Sequence, residues 1–351
     1  MAYLYSALQV HKSSVADKAQ YNLILEQLPF SNINLACDHK DQVLIKVHYS
    51  GVNYKDLMSC GGHPAITRRF PHTPGIDAAG MVIASNSERF KSGDLAIVVC
   101  QPMGLNTPGG FAEYVRVPDS WLERLPAGIS LKDSMVYGTA GFTAALAVEY
   151  LQSMSQSLKG RRVAVTGATG GLGALAIGML ARLGYEVTAI SSASETNPFL
   201  KGIGAHHVLS RNALVDGATQ NLLNPRFDAV IDVAGGRLLA ELLKLLHESG
   251  LAIATGMVGG TDLPTNVLPF ILRGISLKGI NAESTSFTHR ESIWTKIVSE
   301  YMPPNLHDFF QTVSLLQLPA ILKEWLEKSH EKTAIEKPLG RVLIKIVDEY
   351  S

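Results

Sequence analysis

The chain has 351 residues, with 31 Lys and Arg against 31 Asp and Glu and a formal net charge of zero. At about 100–200 residues per domain that length accommodates two domains with buried cores, and 46% hydrophobic against 18% charged residues excludes a disordered tail. Balanced charge argues against a nucleic-acid partner, which needs a basic face, and no apolar run approaches the ~18 residues of a membrane span. Neither a nucleic acid nor a membrane is expected as a partner. Met1-Ala2-Tyr3-Leu4-Tyr5 has neither the basic leader nor the apolar stretch of a signal peptide. The cysteines, Cys37, Cys60 and Cys100, lie far apart, as suits reduced thiols. A cytoplasmic protein is the expectation.

The first third reads as β-rich. Gln42–Tyr49 alternates Val43, Ile45 and Val47 with Lys46 and His48, the period of a half-buried strand. Ala79–Ala84, Asp94–Val99 and Phe111–Val117 are further strands, separated by turns such as Pro108-Gly109-Gly110. From Val163 the pattern changes to strand Val163–Thr166, a glycine cluster, helix Gly171–Leu183, strand Glu186–Ser191, helix Pro198–Gly204 and strand Val208–Ser210. Strands Phe227–Val233, Leu251–Thr255 and Ile275–Ile280 follow, with helix Leu238–His247 between the first two. Apolar strands alternating with helices imply an α/β fold, a doubly wound parallel sheet covered on both faces: a Rossmann nucleotide-binding domain. Helices Arg290–Tyr301 and Leu318–Lys328 lead to an apolar strand, Gly340–Ile346, which needs a sheet to join. Returning it to the first third makes the β-rich domain discontinuous, residues 1–126 and 285–351 around a nucleotide-binding domain over 127–284. Trp294 and Trp325 sit at helical spacing among apolar neighbours and read as core.

The strongest chemical signal is Thr166-Gly167-Ala168-Thr169-Gly170-Gly171-Leu172-Gly173. The first glycine permits a tight turn, a middle one lets backbone N–H groups approach a pyrophosphate, and the last lets the helix pack closely on the strand. The helix N-terminus adds free N–H donors and a positive dipole end. Gly167, Thr169, Gly170, Gly171, Leu172 and Gly173 are therefore cofactor-binding candidates. A plain glycine-rich turn gives the same pattern, but its place after a strand and before a helix favours the nucleotide. An NAD site carries an acid at the end of the second strand. Here Ser191, Ser192 and Ser194 stand there, hydroxyls able to donate to a 2′-phosphate, and Arg211 after the third strand supplies a cation. NADP(H) is the expected cofactor. Asp232-Val233-Ala234-Gly235 closes the fourth strand, where such sheets present binding loops, which adds Val233 to the candidates. Asp232 reads as a buried carboxylate bonded to backbone.

Gly51-Val52-Asn53-Tyr54-Lys55-Asp56, Pro74-Gly75-Ile76-Asp77-Ala78-Ala79-Gly80 and Gly138-Thr139-Ala140-Gly141-Phe142-Thr143-Ala144 precede that turn, and Leu263-Pro264-Thr265-Asn266-Val267-Leu268-Pro269-Phe270-Ile271-Leu272-Arg273 follows it. With these blocks the chain resembles the zinc-free medium-chain dehydrogenase/reductase superfamily, in the branch of acryloyl-CoA reductases and quinone oxidoreductases. The resemblance runs from Tyr3 to Ile346. It implies a GroES-like catalytic domain beside the Rossmann domain, and a homodimer. Zinc-dependent relatives hold their metal with a Cys and a His that fall on Asn53 and Ile76 here, and isoleucine has no donor atom. No metal is expected. The resemblance also places Asn53, Tyr54, Lys55 and Asp56 near the nicotinamide as catalytic candidates, with Thr139 and Thr143 lining the cofactor groove.

A nicotinamide cofactor without a metal suits hydride addition to an already activated alkene. The resulting enolate needs a hydrogen-bond donor at its oxygen and a proton at the α carbon. Tyr54 is the candidate donor, with Lys55 beside it as a cation, Asn53 positioning the nicotinamide or the carbonyl, and water as the other source of the proton. The expected substrate is a short enoyl-CoA, acryloyl-CoA foremost. Two other readings stand beside it: a quinone or enone oxidoreductase of broad specificity, and a non-catalytic NADPH-binding sensor.

Overall fold

A computed structural model describes residues 3–15, 18–35, 40–154, 161–192, 198–215, 220–330 and 339–347. In chain order the first elements are β1 (Leu4–Val15), β2 (Lys18–Pro29), β3 (Gln42–Gly51), α1 (Tyr54–Cys60), β4 (Ala78–Ser85), β5 (Leu95–Val98), β6 (Tyr114–Pro118), β7 (Glu123–Arg124) and α2 (Leu131–Ser153). A β-α alternation follows: β8 (Arg162–Thr166), α3 (Gly171–Arg182), β9 (Glu186–Ser191), α4 (Pro198–Gly202), β10 (His207–Ser210), α5 (Asn212–Val215), β11 (Phe227–Asp232), α6 (Gly236–Leu243), β12 (Leu246–Ala254), α7 (Leu268–Arg273) and β13 (Ser276–Gly279). The chain ends with α8 (Phe287–Lys296), β14 (Phe310–Ser314), α9 (Leu318–His330) and β15 (Arg341–Lys345). Two compact units result, Met1–Thr139 with Gln311–Ser351, and Ala140–Phe310.

In the first unit a sheet runs β14-β15-β3-β4-β5-β7, with β6 also paired to β3. The apolar closing strand β15 does return to this sheet, antiparallel to β3 with Leu343 opposite Gly51. Strand β3 is more buried than its alternation suggests. With neighbours along both edges, it sends Val43, Ile45 and Val47 into a core with Val82, Val98 and Val115, and Leu44 into a second core with Tyr5, Ala7 and Tyr114. The long β1–β2 hairpin, paired from Leu4↔Pro29 to Val15↔Lys18, was not legible as strands. Its inner residues Leu8 and Val10 pack with Cys60, Leu322 and Trp325, the last of these a core residue as expected.

In the second unit the strands stand in the order β10-β9-β8-β11-β12-β13, each pair parallel. This is the doubly wound arrangement, with its reversal of strand order between β8 and β11. Helix α6 stops at Leu243 and β12 starts at Leu246, so His247 lies in a strand and not in the expected helix. Leu242, Leu243, Leu245 and Leu246 are all buried, and an unbroken apolar run cannot say where helix gives way to strand. Helix α8 ends at Lys296, and Ile297–Tyr301 continues as a wider π-turn. Trp294 of α8 meets Phe142 of α2 with centroids 5.8 Å apart. The change from strands to helices near residue 285 is thus a change of pattern, while compactness continues to Phe310.

Helix α2 is broken at Gly138, which has φ 49° and ψ −154°. A Cβ there would overlap Asp77 Oδ2 and Arg341 Nη2, side chains of the same unit. Gly138→Ala is therefore expected to destabilise the fold by more than the about 1–3 kcal/mol of backbone strain alone, read as a lowered urea midpoint at unchanged m-value.

Candidate active site

Helix α1 begins at Tyr54 because Asn53 is a favoured N-cap and Asp56, at the third helical position, completes a capping box. The Asn53 N–H donates to Asp56 Oδ2 at 2.7 Å. Asp56 Oδ1 accepts from the Gly75 and Ile76 N–H groups at 3.2 and 3.0 Å. One buried carboxylate therefore stitches the start of α1 to the Gly75–Ile76 turn. Burial pushes its pKa up to about 7, and the nearby Asp77 charge adds to this, against the Asn53 and Ile76 N–H groups and the Arg341 charge, which lower it.

Beside it lies an ion pair, Asp77 with Arg341, at 3.1 Å and with side chains 0% and 2% exposed. Asp77 also accepts from the Asn53 amide at 2.8 Å and from the Thr139 hydroxyl and backbone N–H at 2.6 and 3.0 Å. The Thr139 hydroxyl in turn accepts from Cys100 N–H at 2.8 Å. Arg341 donates through Nη1 to Val52 O (2.8 Å) and Asn53 Oδ1 (2.9 Å), and through Nε to Val136 O (3.2 Å). Its Nη2 also reaches Met135 O at 3.4 Å. The buried charges are paired and hydrogen-bonded on every side, which is the condition for burying them.

In the second unit the turn after β8 has Gly167 at φ 60°, and a Cβ on Gly173 would overlap the Gly167 carbonyl. Helix α3 is capped by Gly170, and among the described residues no side-chain hydrogen bond caps its N-terminus. The Thr166 hydroxyl donates to Asp232 Oδ1 at 2.7 Å and accepts from Val233 N–H at 2.8 Å, tying the ends of neighbouring strands β8 and β11. Asp232 Oδ2 accepts from Gly235 N–H at 2.7 Å. Burial raises the Asp232 pKa, while the Thr166 hydroxyl and the Gly235 N–H oppose the rise. A side chain at Gly167 would press on Val233 at 3.1 Å. At the ends of β9 and β10, Arg211 N–H donates to Ser191 O at 2.8 Å. Ser192 and Arg211 are exposed, Ser191 is buried, and the Arg211 guanidinium pairs with no acid among the described residues. An open helix N-terminus, a glycine cradle that side chains would fill and a cation beside serine hydroxyls fit a phosphorylated dinucleotide.

The candidates thus fall into groups. Asn53, Asp56 and Thr139 share the Asp77–Arg341 network, with Tyr54 exposed and Lys55 half-buried on α1 next to it. Gly167, Thr169, Gly170, Gly171, Leu172 and Gly173 form the turn on which Val233 packs. Thr143 is a buried residue of α2 in the second unit. Ser194 and Cys37 lie outside the described residues. Three residues of these networks, Asp77, Arg341 and Thr166, are not candidates on the sequence alone. The available signal was a charge in apolar company, Asp77 inside Gly75–Gly80 and Arg341 at the head of Val342-Leu343-Ile344.

Residues 39–127 match the family model of the alcohol dehydrogenase GroES-like domain, and residues 171–297 that of the zinc-binding dehydrogenase. The Bacillus subtilis protein YhfP, named provisionally as a quinone oxidoreductase, is 39% identical over 348 residues, 99% of this chain and 100% of that protein. Acrylyl-CoA reductase AcuI of Ruegeria pomeroyi is 34% identical over 318 residues, 91% of this chain and 94% of that protein. The crystal structure of the yhdH oxidoreductase from Salmonella enterica in complex with NADP matches with a TM-score of 0.86 at 33% identity, covering 97% of this chain and 100% of that one.

The chain belongs to the medium-chain dehydrogenase/reductase superfamily. Its members are oxidoreductases, and this chain stands in the zinc-free branch. The donor set does not fit a catalytic zinc: Ile76 offers no ligand atom, and the Asn53 oxygen, the one amide atom that could ligate, accepts from Arg341 Nη1 at 2.9 Å. Among the described residues no three His, Cys, Asp or Glu side chains are grouped to hold a metal ion.

Asp56 makes a pH dependence. Its folded pKa, about 7, lies above the unfolded value of about 3.9, so the folded state binds the extra proton. Its contribution to stability is complete below about pH 4 and is lost as pH rises through about 7. Urea midpoints at pH 5 and pH 8 are expected to fall with pH in the wild type and to fall less in Asp56→Asn. That variant is also less stable overall by about 1–3 kcal/mol, since an amide cannot accept all three N–H groups.

Proposed function

We propose that the protein reduces the activated C=C of a short enoyl thioester with NADPH, acryloyl-CoA to propanoyl-CoA being the foremost case. The observation that carries the cofactor reading is the strand-end set of Ser191, Ser192 and Arg211 together with an α3 N-terminus that no side chain caps among the described residues. Gly167, Thr169, Gly170, Gly171, Leu172 and Gly173 would hold the pyrophosphate through backbone N–H groups, and Arg211 with the serines the 2′-phosphate. Bound NADPH supplies the hydride that the alkene takes up at its β carbon. Tyr54 donates a hydrogen bond to the thioester oxygen as negative charge develops there, and the α carbon is protonated from Tyr54 or through it from water. Lys55 adds a cation on the same helix turn, while Asn53 and Asp56 hold that turn in place.

The similarity to AcuI favours a thioester, and the similarity to YhfP keeps a quinone as the second reading. A homodimer also belongs to this proposal. Strand β13 stands at the sheet edge with all its residues exposed, and Ile271 and Leu272 of the preceding α7 are 70% and 60% exposed. Such an edge with an apolar flank suits a second copy.

The deciding assay follows NADPH oxidation with acryloyl-CoA, crotonyl-CoA and a simple quinone, with NADH as control. Acryloyl-CoA is expected to lead in kcat/KM by orders of magnitude. A quinone lead with inert CoA esters overturns the thioester reading, and tight NADPH binding without turnover on any acceptor leaves the sensor. Arg211→Ala is expected to raise the Kd of NADPH by about 10- to 100-fold, the loss of a charge-assisted hydrogen bond, and to leave NADH binding unchanged.

A further inference from the structure

Arg341 has no N–H left to offer a ligand. Nε, both hydrogens of Nη1 and both of Nη2 are directed to Val136 O, Val52 O, Asn53 Oδ1, Asp77 Oδ2 and Met135 O, and the side chain is almost wholly buried. Two of those bonds grip the two residues that lead into α1, at the Val52 carbonyl and the Asn53 amide. Asn53 completes a closed ring: its oxygen faces Arg341, its nitrogen faces Asp77, and Asp77 faces Arg341. Turning the amide over would set N–H groups against the guanidinium and its oxygen against the carboxylate, so the ring admits one orientation. Asn53 is the cap residue, and the next residue is Tyr54.

We infer that Arg341 is a positioning residue for the reaction: from the closing strand β15 it fixes Asn53, and through Asn53 the direction in which α1 presents Tyr54. This rests on the assignment of Tyr54 proposed above. Reactions that depend on a placed donor lose about 100-fold for a shift near 1 Å, so a guanidinium that touches no ligand still governs turnover.

Two variants move the guanidinium in different ways. Arg341→Lys keeps the charge but lacks the planar fork that serves Asn53 and Asp77 together. Gly51→Ala keeps every charged group, but its Cβ would overlap Arg341 Nη2 and push the head group away. For each, kcat is measured per NADPH-binding site, with KM for the acceptor and Kd for NADPH, alone and combined with Tyr54→Phe. The expected result is a kcat loss of about 10- to 100-fold with the Kd of NADPH unchanged, and no further loss in the Tyr54→Phe background. Unchanged kcat per site in both variants overturns the inference, as do losses that multiply with that of Tyr54→Phe. Full kcat in Tyr54→Phe alone overturns the Tyr54 assignment, and the inference with it; that single variant tells this outcome from a failure of positioning. Should Arg341→Lys not fold, Gly51→Ala carries the same test.

Discussion

The Arg341 guanidinium and the Asp77 carboxylate meet at 3.1 Å with almost no exposure to solvent, and much of the first unit is arranged to make that meeting tolerable. Removing both charges from water costs several kcal/mol per ion, which their attraction offsets only when the remaining donors and acceptors are also satisfied. Here Asn53, Thr139 and three backbone carbonyls do so, from segments up to 289 residues away in sequence. Deleting one partner strands the other, a loss of about 3–5 kcal/mol. The pair also selects register. A slip of β15 by one residue would send Arg341 to the opposite face of the sheet and leave Asp77 unpaired.

Both units pin a glycine-built turn with a buried acid. In the first, Gly51 and Gly138 leave room for the Asp77–Arg341 pair, and Asp56 receives the backbone of the Gly75–Ile76 turn. In the second, Asp232 receives Gly235 N–H and the Thr166 hydroxyl, next to a glycine run that must stay open for phosphates. Glycine lets the backbone adopt the required path but does nothing to hold it there. A carboxylate that collects two or three hydrogen bonds supplies the hold. This explains why the acids near each candidate site are structural, while the groups assigned to the ligand are backbone N–H, hydroxyl, phenol and cation.

The chemistry follows from what the site offers. With an isoleucine at one position where zinc-dependent relatives place a ligand, that position offers a metal no donor atom, and the substrate proposed is one that brings its own activation. In the proposed reaction a thioester or carbonyl conjugated to the alkene does that, which leaves to the protein the stabilisation of an enolate and the delivery of a proton. Tyr54, the residue proposed for both tasks, is a phenol at the start of a capped helix.

The sequence alone determined the doubly wound sheet, the glycine-rich turn with its helix, the serine and arginine in place of an acid, and the loss of the zinc ligands. Each of these is local: a period, a spacing or a residue type within a few positions. It did not disclose the β1–β2 hairpin, the end of α6 or the burial of β3 on both faces, because those depend on which surfaces meet. Nor did it disclose what Asp56, Asp77, Thr139 and Arg341 do. Asn53, Tyr54, Lys55 and Asp56 read as one catalytic cluster, and only the folded structure separates the exposed phenol from the half-buried cap and the buried carboxylate beside it. A hydrogen bond between residues 264 positions apart leaves no mark on either neighbourhood except a charge where apolar residues are expected, and that mark acquires a meaning only once the closing strand is seen beside β3.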